Sequence, residues 1–490
     1  MNLAALVSAH PGEANAVHDG DRWLSWAEVR AQAGAVAAAL SAAGVAPGDR
    51  VVLALPTSPA FVVAYLGVLA TGAVAVPVNP SSPPDELAGE LAQVAPAALV
   101  ATGAGAAAAA HLDLRAHGIS PVQLPDALPA GARFVPVERS EADLAVLLFT
   151  SGTAGAPRPA MLTHGNLVAN LRQMLALPGE LVRSGDVGLA AVPLFHVFGL
   201  NVALGLALAT GSALVLQERF DPRAALALVD ALDVTLLVGA PGMFAAWADL
   251  PDVPADAFSG VRRALAGAAA LPPEVAARFE ARFGVTLWQG YGLTEAAPAV
   301  ASSLGTGRNR PGSVGRPVPG VEVRVVDDAG EDVLIGDPGE IWVRGPNVFP
   351  GYWRDPLATA EVLTPDGWLR TGDIGVIGED GDLSVVDRAK DLVIVSGFNV
   401  YPGEVERCVA EVPGVAEVVV VGQPDPVTGE AVEAVVVRAP GATVTPAQVI
   451  DHCARRLARY KCPASVRFVD ELPRGLTGKA LRRALRTQPA

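Results

Sequence analysis

Cysteine is scarce in this chain of 490 residues, with three in all: Cys408, Cys453 and Cys462, every one in the last fifth. They lack the paired spacing of a metal site and are too few for a disulfide framework, so reduced thiols in a cytoplasmic protein are expected. Positive charge is also short, at 36 Lys+Arg against 51 Asp+Glu, a formal net charge of -15. An extended polyanion would be repelled, and no nucleic-acid partner is expected. Charged residues make up only 18% and hydrophobic ones 51%, which argues against disorder and for extensive burial. The first residues lack the succession of cationic segment, apolar core and cleavage site that marks a signal peptide, so none is expected.

What is present begins with length: a single core stops growing beyond about 250 to 300 residues, so more than one domain is expected. Val51 to Pro84 carries no charge and is long enough to cross a bilayer, yet Pro56, Pro59, Gly72 and Pro77 cut it into short pieces. It reads as strand (VVLALP), helix (Ser58 to Ala70) and strand (AVAVPV), a βαβ unit inside a doubly covered sheet. No transmembrane segment is expected, and a peripheral membrane contact is left open. Leu24 to Gly44 reads as a helix, with Ser25 as N-cap and Glu28 completing a capping box.

Strand and helix signals alternate to about residue 300. Among them are a helix over Ala224 to Leu232 before the strand TLLVGAP and a helix over Pro272 to Phe283 before the strand VTLWQG. A β-rich segment follows from Val314 to Val386. Beyond Lys390 the order is strand, helix (Glu404 to Glu411), two paired strands (AEVVVVGQ and EAVVVRA) and helix (Pro446 to Tyr460). The expected architecture is α/β: a large N-terminal domain, residues 1–388, with doubly covered sheets and a β-rich subdomain, and a small mobile α+β lid, residues 389–490.

The most informative stretch is LLFTSGTAGAPRPAMLTHGN, Leu147 to Asn166. An apolar strand runs into a loop where Thr150, Ser151 and Thr153 offer hydroxyls. Gly152 and Gly155 let backbone amides approach an anion, and Arg158 adds positive charge. It is not a Walker A loop, because Pro157 and Pro159 flank the basic residue and no Lys-Ser/Thr pair opens a helix. Alone, such a stretch also fits a flexible linker.

Further motifs follow: PLFHVFG (Pro193 to Gly199), AGAAAL (Ala266 to Leu271), GYGLTE (Gly290 to Glu295) and GEIWVRGPNVFPGYW (Gly339 to Trp353). After these come GWLRTGD (Gly367 to Asp373), VDRAKDLVIVSGFNVYPGEVE (Val386 to Glu406) and PRGLTGKALRR (Pro473 to Arg483). In this order they resemble the adenylate-forming superfamily, in its acyl-CoA synthetase and fatty-acid–CoA ligase branch, over essentially the whole chain. The resemblance implies an AMP-forming acid–thiol ligase that uses ATP, Mg²⁺ and coenzyme A. A carboxylate is a poor acylating agent; adenylation supplies a leaving group by displacing pyrophosphate, and the protein's work is positioning and charge neutralisation.

The resemblance also assigns residues. Thr150, Ser151, Gly152, Thr153, Gly155 and Arg158 would hold phosphates. Gly267, Ala268, Ala269, Gly290, Tyr291 and Gly292 would border the nucleotide, with the Tyr291 ring against adenine. Thr294 would reach the α-phosphate and Glu295 would bind Mg²⁺. Asp373 and Arg388 look like the ribose clamp, and Lys479 like the mobile cation that catalyses adenylation. Lys390 falls at the hinge position, and Gly397 and Phe398 on the passage for the CoA thiol. His196, Val197, Phe198, Gly199, Ala240, Gly242, Ala266, Gly267 and Ala297 would line the acyl pocket. Their small, apolar character argues against dicarboxylates and amino acids and for a medium or long fatty acid, with an aromatic acid second. Three loop positions depart from the family pattern: Ala154 replaces a threonine, Arg158 a lysine and Pro159 a glycine. Transfer to a separate carrier protein, and a non-catalytic nucleotide-binding role, stay open as alternatives.

Overall fold

The computed structural model describes residues 1–18, 20–124, 133–150, 157–307, 309–388, 391–395, 398–425, 428–457, 459–474 and 480–486, with residues 387, 388, 398, 399, 429 and 483 as backbone alone. The chain divides into two compact units, Met1–Val323 with Val343–Leu369, and Arg324–Trp342 with Arg370–Ala490. The second unit includes, besides residues 389–490, strand-rich stretches that precede them.

The first unit contains β1 (Asn15–His18), β2 (Trp23–Ser25), β3 (Arg50–Ala54), β4 (Val74–Pro77), β5 (Ala98–Ala101), β6 (Ser120–Val122), β7 (Leu144–Thr150) and β8 (Arg158–Thr163). It continues with β9 (Val187–Ala190), β10 (Ala213–Leu216), β11 (Leu236–Gly239), β12 (Arg263–Ala266), β13 (Leu287–Gly292), β14 (Ala299–Ser302) and β15 (Arg316–Pro317). Two sheets result, with strand orders β6-β5-β3-β4-β7-β8 and β15-β14-β13-β12-β11-β9-β10-β1-β2. In the larger sheet β1, β9, β10, β11, β12 and β13 are parallel. The chain runs from β9 to β10 on one side and then returns to β11 on the other, so β9 and β11 form the point where strand order reverses.

The βαβ unit expected over Val51 to Pro84 is present: β3 and β4 pair in parallel, Val52 opposite Val76, joined by helix Pro59–Ala70. Every residue from Phe61 to Ala70 is buried. A helix apolar all round must be covered on every side, and here the protein core covers it. No helix among the described residues is long and apolar enough to cross a membrane. Helix Trp26–Ala42 starts with the expected capping box: Glu28 N–H donates to Ser25 Oγ at 3.2 Å, and Ser25 N–H to Glu28 Oε2 at 2.8 Å. Helices Pro222–Ala231 and Pro273–Phe283 lie where the apolar period puts them.

A four-stranded sheet, most of it in the second unit, is formed by β16 (Glu322–Val326), β17 (Gly339–Arg344), β18 (Leu369–Ile377) and β19 (Leu383–Arg388) in that order. The C-terminal sheet has β20 (Val393–Val395), β21 (Phe398–Val400), β22 (Val415–Asp425), β23 (Gly429–Arg438) and β24 (Ser465–Val469), ordered β21-β20-β23-β22 with β24 on β23. Two sequence expectations need correction here. The last helix ends at Ala454 rather than Tyr460, because Leu457, Tyr460 and Cys462 turn in to pack on the apolar core around Val409, Val449 and Cys453. The sequence reading also has no strand over Ser465–Val469, which pairs in parallel with β23, Val436 opposite Phe468.

His164 opens helix His164–Leu175 and is fully buried, its Nδ1 accepting the Leu3 N–H at 3.0 Å while Nε2 has no hydrogen-bond partner among the described residues. Burial, then the Arg139 guanidinium and the N-terminal amine, pull its pKa from the ordinary 6.5 to about 4, against a smaller opposing effect of Asp143. The unfolded chain takes up this proton near pH 6.5 and the folded one only near 4. Stability is therefore full above pH 6.5 and falls as pH drops towards 4, by at most about 3 kcal/mol. Thermal unfolding from pH 7.5 to 4.5 should show that decline, and His164→Gln, which keeps an acceptor for Leu3, should flatten it; an unchanged slope would count against His164 as its source.

Candidate active site

Parallel strands present their carboxyl ends along one edge, and in an open α/β sheet the crevice there, at the strand-order reversal, is where ligands bind. Ala190 of β9 lies opposite Val238 of β11, Gly239 opposite Ala266 of β12, and Ala266 opposite Gln289 of β13. The segments leaving these ends therefore run side by side. They carry His196 to Gly199 after β9, Ala240 and Gly242 after β11, Gly267 to Ala269 after β12, and Thr294, Glu295 and Ala297 after β13. The structure thus brings together residues that the sequence scatters over a hundred positions.

Close contacts knit these segments. Gly267 N–H donates to Gly239 O at 3.1 Å, and a Cβ on Gly267 would lie 2.6 Å from the Phe198 ring, so that ring rests on the glycine. Residues Phe198–Gly205 form a π-helical turn, a wide turn that often accompanies functional sites. Within it buried Asn201 donates from Nδ2 to Ala297 O at 2.7 Å and Leu167 O at 3.3 Å. Ala268 and Ala297 hold φ near +66° and +62°, a left-handed backbone uncommon for non-glycine residues, which persists where surroundings impose it. A Cβ on Gly242 would meet nothing within 4 Å, so that position fronts open space. His196 Nδ1 accepts the Phe198 N–H at 3.3 Å, which assigns the neutral ring's proton to Nε2. Burial holds its pKa below the ordinary value, so the imidazole is uncharged at neutral pH.

The polar end of the site is built on β7 and β8. Thr150 and Arg158 face each other across this antiparallel pair, with Thr150 Oγ1 donating to Arg158 O at 3.4 Å. Arg158 Nε lies 3.5 Å from Asp355 and its Nη1 3.9 Å from Glu361. Partly exposed pairs of this kind contribute about 0–1 kcal/mol, little enough for a phosphate to displace them. The guanidinium also sits 5.9 Å from the Tyr352 ring centre, and Tyr352 Oη donates to Glu295 Oε1 at 2.7 Å. Burial, then the Glu295 charge, push the Tyr352 phenol well above its usual pKa, so it remains a donor. Tyr352, Asp355, Glu361 and Asn201 are site neighbours that the sequence reading missed. Tyr352 stood inside the quoted GEIWVRGPNVFPGYW motif, but no local spacing puts it on a carboxylate 57 residues earlier.

Tyr291 and Gly292 end β13, where a Cβ on Gly292 would lie 2.1 Å from Pro298 O; only glycine allows that approach. In the second unit Asp373, which is buried, stands directly across from the backbone of Arg388 in the β18–β19 pair, and Asp373 N–H donates to Thr371 Oγ1 at 3.1 Å. Ser151, Gly152, Thr153 and Gly155, together with Lys390, Gly397 and Lys479, lie outside the described residues, as do the side chains of Arg388 and Phe398. Among the described residues no three His, Cys, Asp or Glu side chains cluster as a metal cage. A single carboxylate such as Glu295 nevertheless fits Mg²⁺, which keeps water and phosphate oxygens as most of its ligands.

Two family descriptions match the chain, AMP-binding enzyme over residues 3–353 and AMP-binding enzyme C-terminal domain over 404–479. The protein belongs to the AMP-binding, adenylate-forming enzyme family. Feruloyl-CoA synthase of an Amycolatopsis species is 39% identical over 483 residues, covering 98% of this chain and 96% of that protein. A long-chain-fatty-acid–CoA ligase of Yersinia pestis is 38% identical over 487 residues, covering 91% and 86%. The ATP-bound crystal structure of MatB from Rhodopseudomonas palustris superposes with a TM-score of 0.93 at 34% identity, covering 99% of this chain and 98% of that one. These likenesses place the chain in the AMP-forming acid–CoA ligase branch of the family.

Proposed function

We propose that the protein activates an apolar carboxylic acid with ATP, releasing pyrophosphate, and then transfers the acyl group to CoA to yield acyl-CoA and AMP. The observation that supports this reading is that the largely apolar segments after β9, β11 and β12 leave one edge of the parallel strands beside the segment after β13, whose Glu295 is joined through Tyr352 to Arg158 on β8 of the other sheet. Thr150, Arg158 and the loop between them take the phosphates, Tyr291 takes adenine, and Thr294 takes the α-phosphate. Asp373 and Arg388 take the ribose. Mg²⁺ on Glu295 would neutralise charge on the departing pyrophosphate. Lys479 steadies the charge that builds as the acid attacks the α-phosphorus. After adenylation the lid, residues 389–490, would turn about Lys390, leaving Gly397 and Phe398 beside the CoA thiol.

The proposed acyl wall, made of Val197, Phe198, Ala240, Ala266 and Gly267 with neutral His196, holds no cation for a second carboxylate and no anion for an amine. Burying either charge unpaired would cost several kcal/mol. A medium or long fatty acid is the first assignment. An aryl acid is the second, supported by the Phe198 ring lying against Gly267 and by the feruloyl-CoA synthase relative.

The test is pyrophosphate release with ATP and Mg²⁺ across acetate, octanoate, palmitate, benzoate, malonate and amino acids, with and without CoA. Release stimulated by CoA on an apolar acid supports the proposal. Release indifferent to CoA would point to a carrier-protein acceptor, and nucleotide binding without release to a non-catalytic homologue. Because Gly242 fronts open space, Gly242→Val should leave folding intact and narrow the pocket. It should lower kcat/KM for the longest acid accepted by about tenfold relative to the shortest; equal loss for both would remove Gly242 from the pocket.

A further inference from the structure

We propose that Tyr352 is a positioning residue for adenylation, holding the Glu295 carboxylate in place for its metal and tying it to Arg158 beside the phosphate loop. The inference rests on the reading of Glu295 as the Mg²⁺ carboxylate. Its basis is the way residues 349–353 are stitched into the site at both ends. At one end Phe349 N–H donates to the backbone oxygen of Glu295 itself at 2.8 Å. At the other, Met161 N–H donates to Gly351 O at 3.0 Å and Trp353 N–H to Pro159 O at 2.8 Å, with Tyr352 opposite Ala160 as an antiparallel bridge. The segment thus adds a further partner to the β7–β8 pair that flanks the phosphate loop.

The Tyr352 side chain spans the same two elements. Its hydroxyl donates to Glu295 Oε1 at 2.7 Å, its ring faces the Arg158 guanidinium, and Phe349 packs edge-on against it with ring centres 5.0 Å apart. Its backbone is held equally firmly. Gly351 has φ +135°, and a Cβ there would lie 2.5 Å from Thr359 Cγ2, an approach that lets Thr359 Oγ1 accept the Tyr352 N–H at 2.9 Å. Carboxylates rotate freely unless one oxygen is tied, and Mg²⁺ demands near-ideal octahedral geometry. Partners that orient a metal's ligand are typically worth 10- to 100-fold in metal affinity or activity.

The test compares Tyr352→Phe, Glu295→Gln and the double variant, with ATP binding measured by calorimetry without the acid substrate, in Mg²⁺ and in EDTA, alongside Tm. Tyr352→Phe keeps the ring beside Arg158 and Phe349 and removes only the hydroxyl. It is expected to raise the Mg²⁺ concentration for half-maximal ATP binding about tenfold, to leave binding in EDTA unchanged, and to add nothing further on the Glu295→Gln background. If Glu295→Gln shifts the Mg²⁺ dependence and Tyr352→Phe does not, the positioning role is overturned while the reading of Glu295 stands. If neither shifts it, the reading of Glu295 fails and the proposal with it. Equal weakening in Mg²⁺ and EDTA, a marked fall in Tm, or additive losses in the double variant would show a structural role and overturn the proposal.

Discussion

Lys479→Ala is expected to slow adenylate formation by roughly 100- to 1,000-fold, the range found when one preorganised charge-stabilising donor is removed from a transition state. Attack of a carboxylate oxygen on the α-phosphorus brings two anions together, and an ammonium on a flexible four-carbon stem can meet both. The measurement is acid-dependent exchange of labelled pyrophosphate into ATP, with Tm as a check that the fold is kept. Supplied with preformed acyl-adenylate, the same variant should make acyl-CoA at close to the wild-type rate, because the lysine's work is then already done. Comparable loss in both assays would overturn the assignment of Lys479 to the first half-reaction.

Gly397→Trp is expected to show the opposite pattern. Pyrophosphate exchange should stay within about twofold, while thioester formation from adenylate and CoA should fall by about 100-fold, since a bulky side chain on the proposed passage would block the thiol. Rapid-quench measurement of both half-reactions on one preparation separates them. Equal loss in the two would count against a lid that serves them in distinct states.

Chemistry was more legible in this chain than geometry. The Ser25–Glu28 capping box, the βαβ unit from β3 to β4 and the Gly/Pro punctuation of β16 to β19 act within a few residues, and each stands where local pattern puts it. The helix expected to Tyr460 stops at Ala454 because tertiary packing of Leu457 and Tyr460 outweighs helix propensity. β24 is not singled out by local pattern because SVRFV is only five residues long, and it gains its place from pairing with β23. Asp373 and Arg388 are proposed as a ribose clamp from the motifs they stand in, whereas their standing opposite one another depends on the β18–β19 register.

The sequence by itself determined the class of chemistry, the alternation of strands and helices, and the apolar character of the proposed acyl wall, because residue type and short-range spacing suffice for these. Tertiary structure decided which loops share an edge, through the order β12-β11-β9-β10 that puts the reversal between β9 and β11. It also decided that Tyr352 reaches Glu295 and Arg158 together. Contacts between residues so far apart in the chain come from strand order and register, which are set by how whole sheets bury their faces rather than by any local run of residues.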